Sequence, residues 1–249
     1  MSVVALDIGT SRIKVVLGHW DGGIVEVRSA PTPVETGDDG RHAFPADAVR
    51  ATAESLIASV AAAHPDDPLD TIVCSCLGTA MVPVDVGGRP LGSALSPADA
   101  RPGRVPGLID RVGLPASDLF DRTGSDAHLA SFLLHWLWWR QAHPDRMARL
   151  HRFRSLRGFV VEGLCGADAE DPSWASRTML MDLATDAWSD TILAAAGLPG
   201  SALPPILPST TTWPMTGAAT LRLGLRPGVR VVLGAMDNCC AFLGASDPD

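Results

Sequence analysis

The chain has 249 residues, 28 acidic against 20 basic side chains, a net charge of −8 and an apolar fraction of 46%. That composition excludes a disordered tail, a disulfide-stapled mini-protein and a collagen-like repeat, and its acidity weighs against a general nucleic-acid binder. No run of about 18 apolar residues occurs, so no membrane-spanning helix is expected. Residues 3–8 form a short apolar run that reads as a buried strand, punctuated by Gly9-Thr10-Ser11. Residues 12–18 alternate as a second strand. Asp21-Gly22-Gly23 signals a hairpin turn, and residues 24–28 alternate as a third strand. The chain therefore opens as an antiparallel meander, which argues against a dinucleotide-binding βαβ unit, and no G-x-G-x-x-G follows the first strand.

Residues 45–64 carry helical spacing through Val49, Ala53, Leu56, Ile57 and Val60, with Asp47 as the expected cap. Residues 71–77 read as a strand, 81–86 as another, 87–90 as a turn and 92–107 as a Pro/Gly-rich loop. Residues 131–143 form a heavy, Trp-rich helix, and residues 175–196 contain a further helical stretch. Residues 203–214 hold four prolines and read as irregular. Residues 230–234 are a last buried strand, followed by Asp237 and an apolar helix-like run. This order predicts an α/β fold, a mixed sheet with helices on both faces, of the ribonuclease-H-like kind.

Finer composition is uneven. All basic residues but one are Arg, the exception being Lys14, and Asn238 is the only Asn. GC-rich coding explains the scarcity but not the positions. Arg149, Arg152, Arg154 and Arg157 read as a solvated helix face. The five cysteines lack zinc-site spacing and read as buried reduced thiols, with Cys74 and Cys76 on one side of a strand. The first residues lack a charged region ahead of an apolar one, so no signal peptide is expected and a cytoplasmic location is.

Four segments carry chemistry. In Asp7-Ile-Gly9-Thr10-Ser11-Arg12-Ile-Lys14, Gly9 permits close approach of a phosphate tail, and backbone N–H groups with the Thr10 and Ser11 hydroxyls can donate to it. Asp7 can hold Mg²⁺ directly or through water, and Lys14 or Arg12 can offset developing negative charge. A plain hairpin turn has the same pattern. In Gly234-Ala-Met-Asp237-Asn238 a strand delivers a carboxylate placed to accept a proton from a bound hydroxyl. A simple helix N-cap is the competing reading. Asp99 and Arg101 can hydrogen-bond a polyhydroxyl ligand or form a surface ion pair. Asp171-x-Ser173-x-Ala175-Ser176 reads as a helix cap.

Taken in order, these segments resemble the FGGY family of carbohydrate kinases, within the actin/hexokinase-like superfamily. Asp7 to Lys14 resembles the family's first phosphate motif. Gly87-Gly88-Arg89-Pro90-Leu91 followed by Ala98-Asp99-Ala100-Arg101 resembles its turn and its W-x-D-x-R sugar loop. Asp171 to Ser176, Leu180-Met-Asp182 and Trp188 resemble its D-x-S-x-A…LxD…W stretch, and Leu203-Pro204 and Gly234 to Asn238 its L-P and G-x-x-D-[NQ] signatures. Gluconokinases and xylulokinases are the nearest in feel.

The resemblance implies that Asp237 is the general base toward a hydroxyl of a sugar, sugar acid or polyol, with ATP as phosphoryl donor and Mg²⁺ held at Asp7. It implies that Gly9, Thr10, Ser11, Arg12 and Lys14 face the phosphates, and that Asp99, Arg101, Thr79 and Asn238 face the sugar. Three positions depart from the family pattern, and all three bear on which sugar is recognised. Pro97 stands for the sugar-loop Trp, His135 for a frequent Lys and Thr79 for the usual His. The resemblance further implies that residues 1–249 form the N-terminal domain, with the C-terminal ATP-binding domain the expected partner. A homodimer is a further expectation, and so is an exposed apolar patch where the second domain would pack. A non-catalytic sugar-binding or regulatory relic is the alternative.

Overall fold

The computed structural model describes residues 1–126 and 131–246. A six-stranded mixed sheet forms the frame. Its first three strands are β1 (Ser2–Ile8), β2 (Arg12–His19) and β3 (Ile24–Pro31), the antiparallel meander expected from the alternating pattern. After the helix α1 (Ala46–Ala63) the chain returns as β4 (Leu69–Cys76), parallel to β1. The sheet is completed by β5 (Thr212–Pro214) and β6 (Arg230–Val232), in the order β5-β6-β4-β1-β2-β3, with β6 parallel to β4.

Period-2 alternation decides which face is covered. Val4, Leu6 and Ile8 of β1 point with Ile13, Val15 and Leu17 of β2 into one core, where Val49, Ala53, Ile57 and Val60 of α1 close over them. Those α1 positions share one stripe of a 3.6-residue helix. A second helix on that face, α2 (Leu156–Cys165), adds Phe159, Val160 and Leu164. Each such side chain removed from water contributes roughly 1.5–3 kcal/mol. The opposite face is barely covered. It carries α3 (Asp237–Ala245), in which no residue is fully buried and Phe242 and Leu243 stand exposed.

A second core gathers around the Trp-rich helix at residues Phe132–Ala142, capped by the Ser131 hydroxyl. Its indole N–H groups find partners where they can: Trp136 donates to the Ala196 carbonyl and Trp174 to the Leu77 carbonyl. Phe132 and Phe153 meet edge to face at 4.8 Å.

Several local expectations change. Pro45, not Asp47, occupies the N-cap of α1; Asp47 sits in the first turn and pairs with Arg50. The Pro/Gly-rich loop contains a two-residue strand (Ala94–Leu95), and the proline-rich segment ends in β5. The arginine run is not a solvated helix face. Arg152 and Arg154 lie on a strand (Arg152–Ser155) and pair with Asp168, and Arg157 is fully buried. Cys74 and Cys76 are buried as expected, and burial pushes the Cys74 thiol up to about 12. Cys240 instead is exposed.

Candidate active site

The parallel strands β1, β4 and β6 place their C-terminal ends side by side, the position where open α/β sheets bind ligands. Asp7 is the penultimate residue of β1, opposite Ser75 of β4 and Lys14 of β2. Asp237 opens α3 just beyond β6. A cleft of about 650 Å³ is lined by Asp7, Ser75, Asp237, Asn238 and Cys240. The first and last motifs of the sequence therefore face one space.

The turn after β1 is tight. The Gly9 N–H donates to the Arg12 carbonyl, and a side chain on Gly9 would press within 3.0 Å of that same oxygen. Thr32 fixes the turn from its carbonyl side: its hydroxyl donates to the Gly9 carbonyl and its N–H to that of Ser11. Thr10 and Ser11 stay exposed at the tip. Lys14 Nζ lies 3.7 Å from Asp7 Oδ2, whereas the Arg12 guanidinium turns back to donate to Ser29. Lys14, not Arg12, is thus the cation beside Asp7. The other Asp7 oxygen, Oδ1, is buried without a hydrogen-bond partner among the described residues. An orphaned carboxylate oxygen beside a phosphate-sized turn suits Mg²⁺, which binds one or two carboxylates together with phosphate oxygens.

Asp237 is not the helix cap. Met236 holds the N-cap position, and Asp237 Oδ1 instead accepts a hydrogen bond from the Asn238 N–H at 2.7 Å. Its carboxyl is pushed above the usual carboxylate range, first by burial and then by the negative charge of Asp7, against the lowering effect of that N–H. A carboxylate so destabilised accepts a proton more readily. Asn238 contributes its backbone here, and its side chain is exposed.

A second group assembles where β4 ends. Thr79 is buried with φ 65°, a left-handed conformation unusual for a β-branched residue, and its hydroxyl has no partner among the described residues. His135 of the Trp-rich helix is buried beside it, with Nδ1 likewise unpartnered. Asp99 and Arg101 act electrostatically on the same imidazole. Gly78 packs on Met236, so this group adjoins the turn that carries Asp237. The surface-pair reading of Asp99 fails, because its side chain is sequestered. It accepts from the His42 and Arg101 N–H groups and bonds the Arg101 guanidinium at 2.7 and 2.9 Å. Burial disfavours the Asp99 charge, but these donors outweigh it and hold its pKa low. The Arg101 guanidinium also lies 4.5 Å over the Trp138 ring. Asp99 therefore anchors the loop to the His42 strand, whereas Thr79 Oγ1 and His135 Nδ1 have no hydrogen-bond partner among the described residues.

Burial pulls His135 down to about 4, with Arg101 adding to it; Asp99 and a hydrogen bond with the Thr79 backbone oppose the shift. The folded chain therefore keeps this ring neutral while an unfolded one takes up a proton below 6.5. Stability should fall as pH drops from 6.5 toward 4, by up to about 3 kcal/mol. Thermal melts across that window should show the loss, and His135→Gln should flatten it. An unchanged acid limb in the variant would contradict this assignment.

The sequence pattern put Arg157 on a solvated helix face and gave no sign of its partner Glu170. Arg157 bonds Glu170 at 2.8 Å and Asp171 at 2.7 Å, all three buried. One signal was present: Arg157 stands in the N-terminal turn of α2, where the helix dipole disfavours a cation unless acids compensate.

A family model described as "FGGY family of carbohydrate kinases, N-terminal domain" matches residues 2–244. Among curated proteins, a gluconokinase of Bacillus licheniformis is 24% identical over 247 residues, covering 98% of this chain and 48% of the relative. A xylulose kinase of Staphylococcus xylosus is 26% identical over 251 residues, covering 99% of this chain and 51% of its own length. Among solved structures, a xylulose kinase from Rhodospirillum rubrum superposes with a TM-score of 0.91 at 23% identity, covering 100% of this chain and 52% of that one. A gluconate kinase from Lactobacillus acidophilus gives 0.88 at 18% identity, covering 95% of this chain and 48% of that one. The structural likeness establishes the actin/hexokinase-like fold. The chain spans about half the length of the curated relatives it matches.

Proposed function

The chain belongs to the FGGY family of carbohydrate kinases, as its N-terminal domain, and from that premise we propose that it is the sugar-binding, base-bearing half of an ATP-dependent kinase. The observation that carries the reading is the shared cleft of Asp7 and Asp237, with the Asp237 carboxyl raised by burial and by its acidic neighbour. Residues 1–249 form the proposed domain, and an ATP-binding C-terminal half would close over the cleft. The exposed apolar residues of α3, Phe242 and Leu243, support a packing surface there.

In this reading Asp237 takes the proton of a substrate hydroxyl as its oxygen attacks the γ-phosphorus of ATP, and the bond from that phosphorus to the β–γ bridging oxygen breaks to release ADP. Gly9, Thr10 and Ser11 approach the phosphates, and Lys14 offsets their charge beside Asp7. Magnesium, held by Asp7 directly or through water, would neutralise charge on the phosphate oxygens. Phosphoryl transfer needs little else, since positioning and charge neutralisation provide most of the acceleration. The substrate class is a sugar, sugar acid or polyol. Thr79 and the neutral His135 meet it, with one hydroxyl and one ring nitrogen lacking protein partners. Asp99 and Arg101 shape the loop that borders it.

The test supplies the ATP-binding half, fused or in trans, and assays ATP consumption across a panel including gluconate, xylulose and fuculose. ATP-dependent phosphorylation of at least one member is expected. Sugar binding by calorimetry without turnover under any complementation would overturn the kinase reading in favour of a binding relic.

A further inference from the structure

The helix that carries Asp237 has little to hold it. None of its residues is fully buried, and although Asp237 and Cys239 are half-buried and Cys239 packs against the second core, that packing alone gives α3 little with which to fix the carboxylate to the precision catalysis needs. What is fixed is the residue before it. Met236 is bridged to Cys76 at the end of β4, and its N–H donates to the Ser173 hydroxyl at 3.0 Å. Ser173 lies 63 residues away in sequence. Its hydroxyl proton is committed elsewhere, donated to Asp171 Oδ2, which also accepts the Ser173 N–H at 2.9 Å. A hydroxyl has one proton, so this orientation leaves its lone pairs for Met236. Asp171 in turn is held through Oδ1 by the fully buried Arg157, itself bonded to Glu170. Every bond in this chain has a donor facing an acceptor, running from a buried charge cluster to the start of the base-bearing helix.

We propose that Ser173 is a positioning residue for Asp237, oriented by Asp171 and Arg157, and that it sets where α3 begins by accepting the Met236 N–H. The inference rests on reading Asp237 as the base and adds to it a residue that does not touch substrate. It also gives the buried ion cluster a use. A buried pair of this kind is weak evidence for stability, but it fixes one geometry well.

Two readouts test it. The first is amide hydrogen exchange on this chain and needs no activity. Ser173→Ala should speed exchange at Met236 at least about tenfold while the amides of Leu6 and Cys74, in the central strands, stay protected. Ser173→Thr, which keeps the hydroxyl, should restore protection and shows that loss of the bond, not misfolding, is responsible. The second is steady-state kinetics with the ATP-binding half supplied. Ser173→Ala should lower kcat by about tenfold to hundredfold with the sugar KM within about twofold, and Ser173→Thr should recover most of it. Unchanged Met236 exchange, or a parental kcat in Ser173→Ala while Asp237→Ala is inactive, would overturn the proposal. Full activity in Asp237→Ala would overturn the base assignment instead, and the exchange result would then stand on its own as a structural clamp.

Discussion

Gly234→Ala should destabilise the chain by about 4 kcal/mol or more, lowering the melting temperature by roughly 10 °C. Gly234 sits at φ 75°, and a Cβ built on it falls 1.6 Å from the Cys74 carbonyl oxygen and 2.7 Å from the carbonyl carbon. Neither backbone can retreat. Cys74 is locked in β4 between β1 and β6, opposite Leu6. Gly234 is held by its own N–H to the Ser209 carbonyl, and Leu233 by its N–H to that of Thr211. Relief must come from tearing the segment off the sheet, which also displaces Met236 and Asp237. Gly228→Ala separates the causes: it has φ 104° but nothing within 4 Å of an added Cβ. That control should lose only about 1 kcal/mol, the cost of the left-handed conformation alone. Equal melting temperatures for the two variants would show that the close approach is not rigid.

What could be read from the sequence was what short-range physics writes there. Strand β1 follows from a short apolar run, β2, β3 and helix α1 follow from periods of 2 and 3.6 within single segments, and the turn at Gly9 follows from composition. The turn after β1 and the turn that carries Asp237 stood out in the sequence because each is a strand end followed by a glycine-bearing turn and polar residues. The buried Arg157 cluster was not legible, since an arginine among other arginines looks solvated until Glu170 and Asp171 are brought to it. The Ser173–Met236 bond is set by tertiary packing and leaves no local trace beyond an apparent helix cap. The surface reading of the Asp99–Arg101 pair failed for the same reason: the burial of Asp99 depends on His42, 57 residues away. The strand at His42–Phe44 and that at Arg152–Ser155 are too short for a period to show.

The two rare residues also separate. Lys14 owes its place to side-chain chemistry, an ammonium beside Asp7. Asn238 gives Asp237 a backbone N–H, which any residue except proline would provide. The position of the only lysine therefore has a physical account in the fold, whereas the contact at 238 leaves the asparagine side chain unexplained.

Asp237→Asn should exchange activity for stability. Asparagine keeps the shape but cannot take the proton of an attacking hydroxyl, so turnover with the ATP-binding half supplied should fall by about 10²- to 10⁴-fold. The same change should make the folded chain more stable at neutral pH. The folded state holds the Asp237 proton more tightly than an unfolded chain does, where the carboxyl titrates near 3.8. As pH rises through and above that value, the folded state must ionise a carboxyl that burial and Asp7 both disfavour. Stability is lost over that rise, and the loss is complete at neutral pH. The amide has no such ionisation. Chemical denaturation of parent and variant should therefore show the variant ahead at neutral pH, with the gap closing as the pH falls to about 3, where both states of the parent are protonated. A variant less stable than the parent at neutral pH would mean that the carboxylate is stabilised where it stands. Its raised pKa would then be the wrong basis for its role as base.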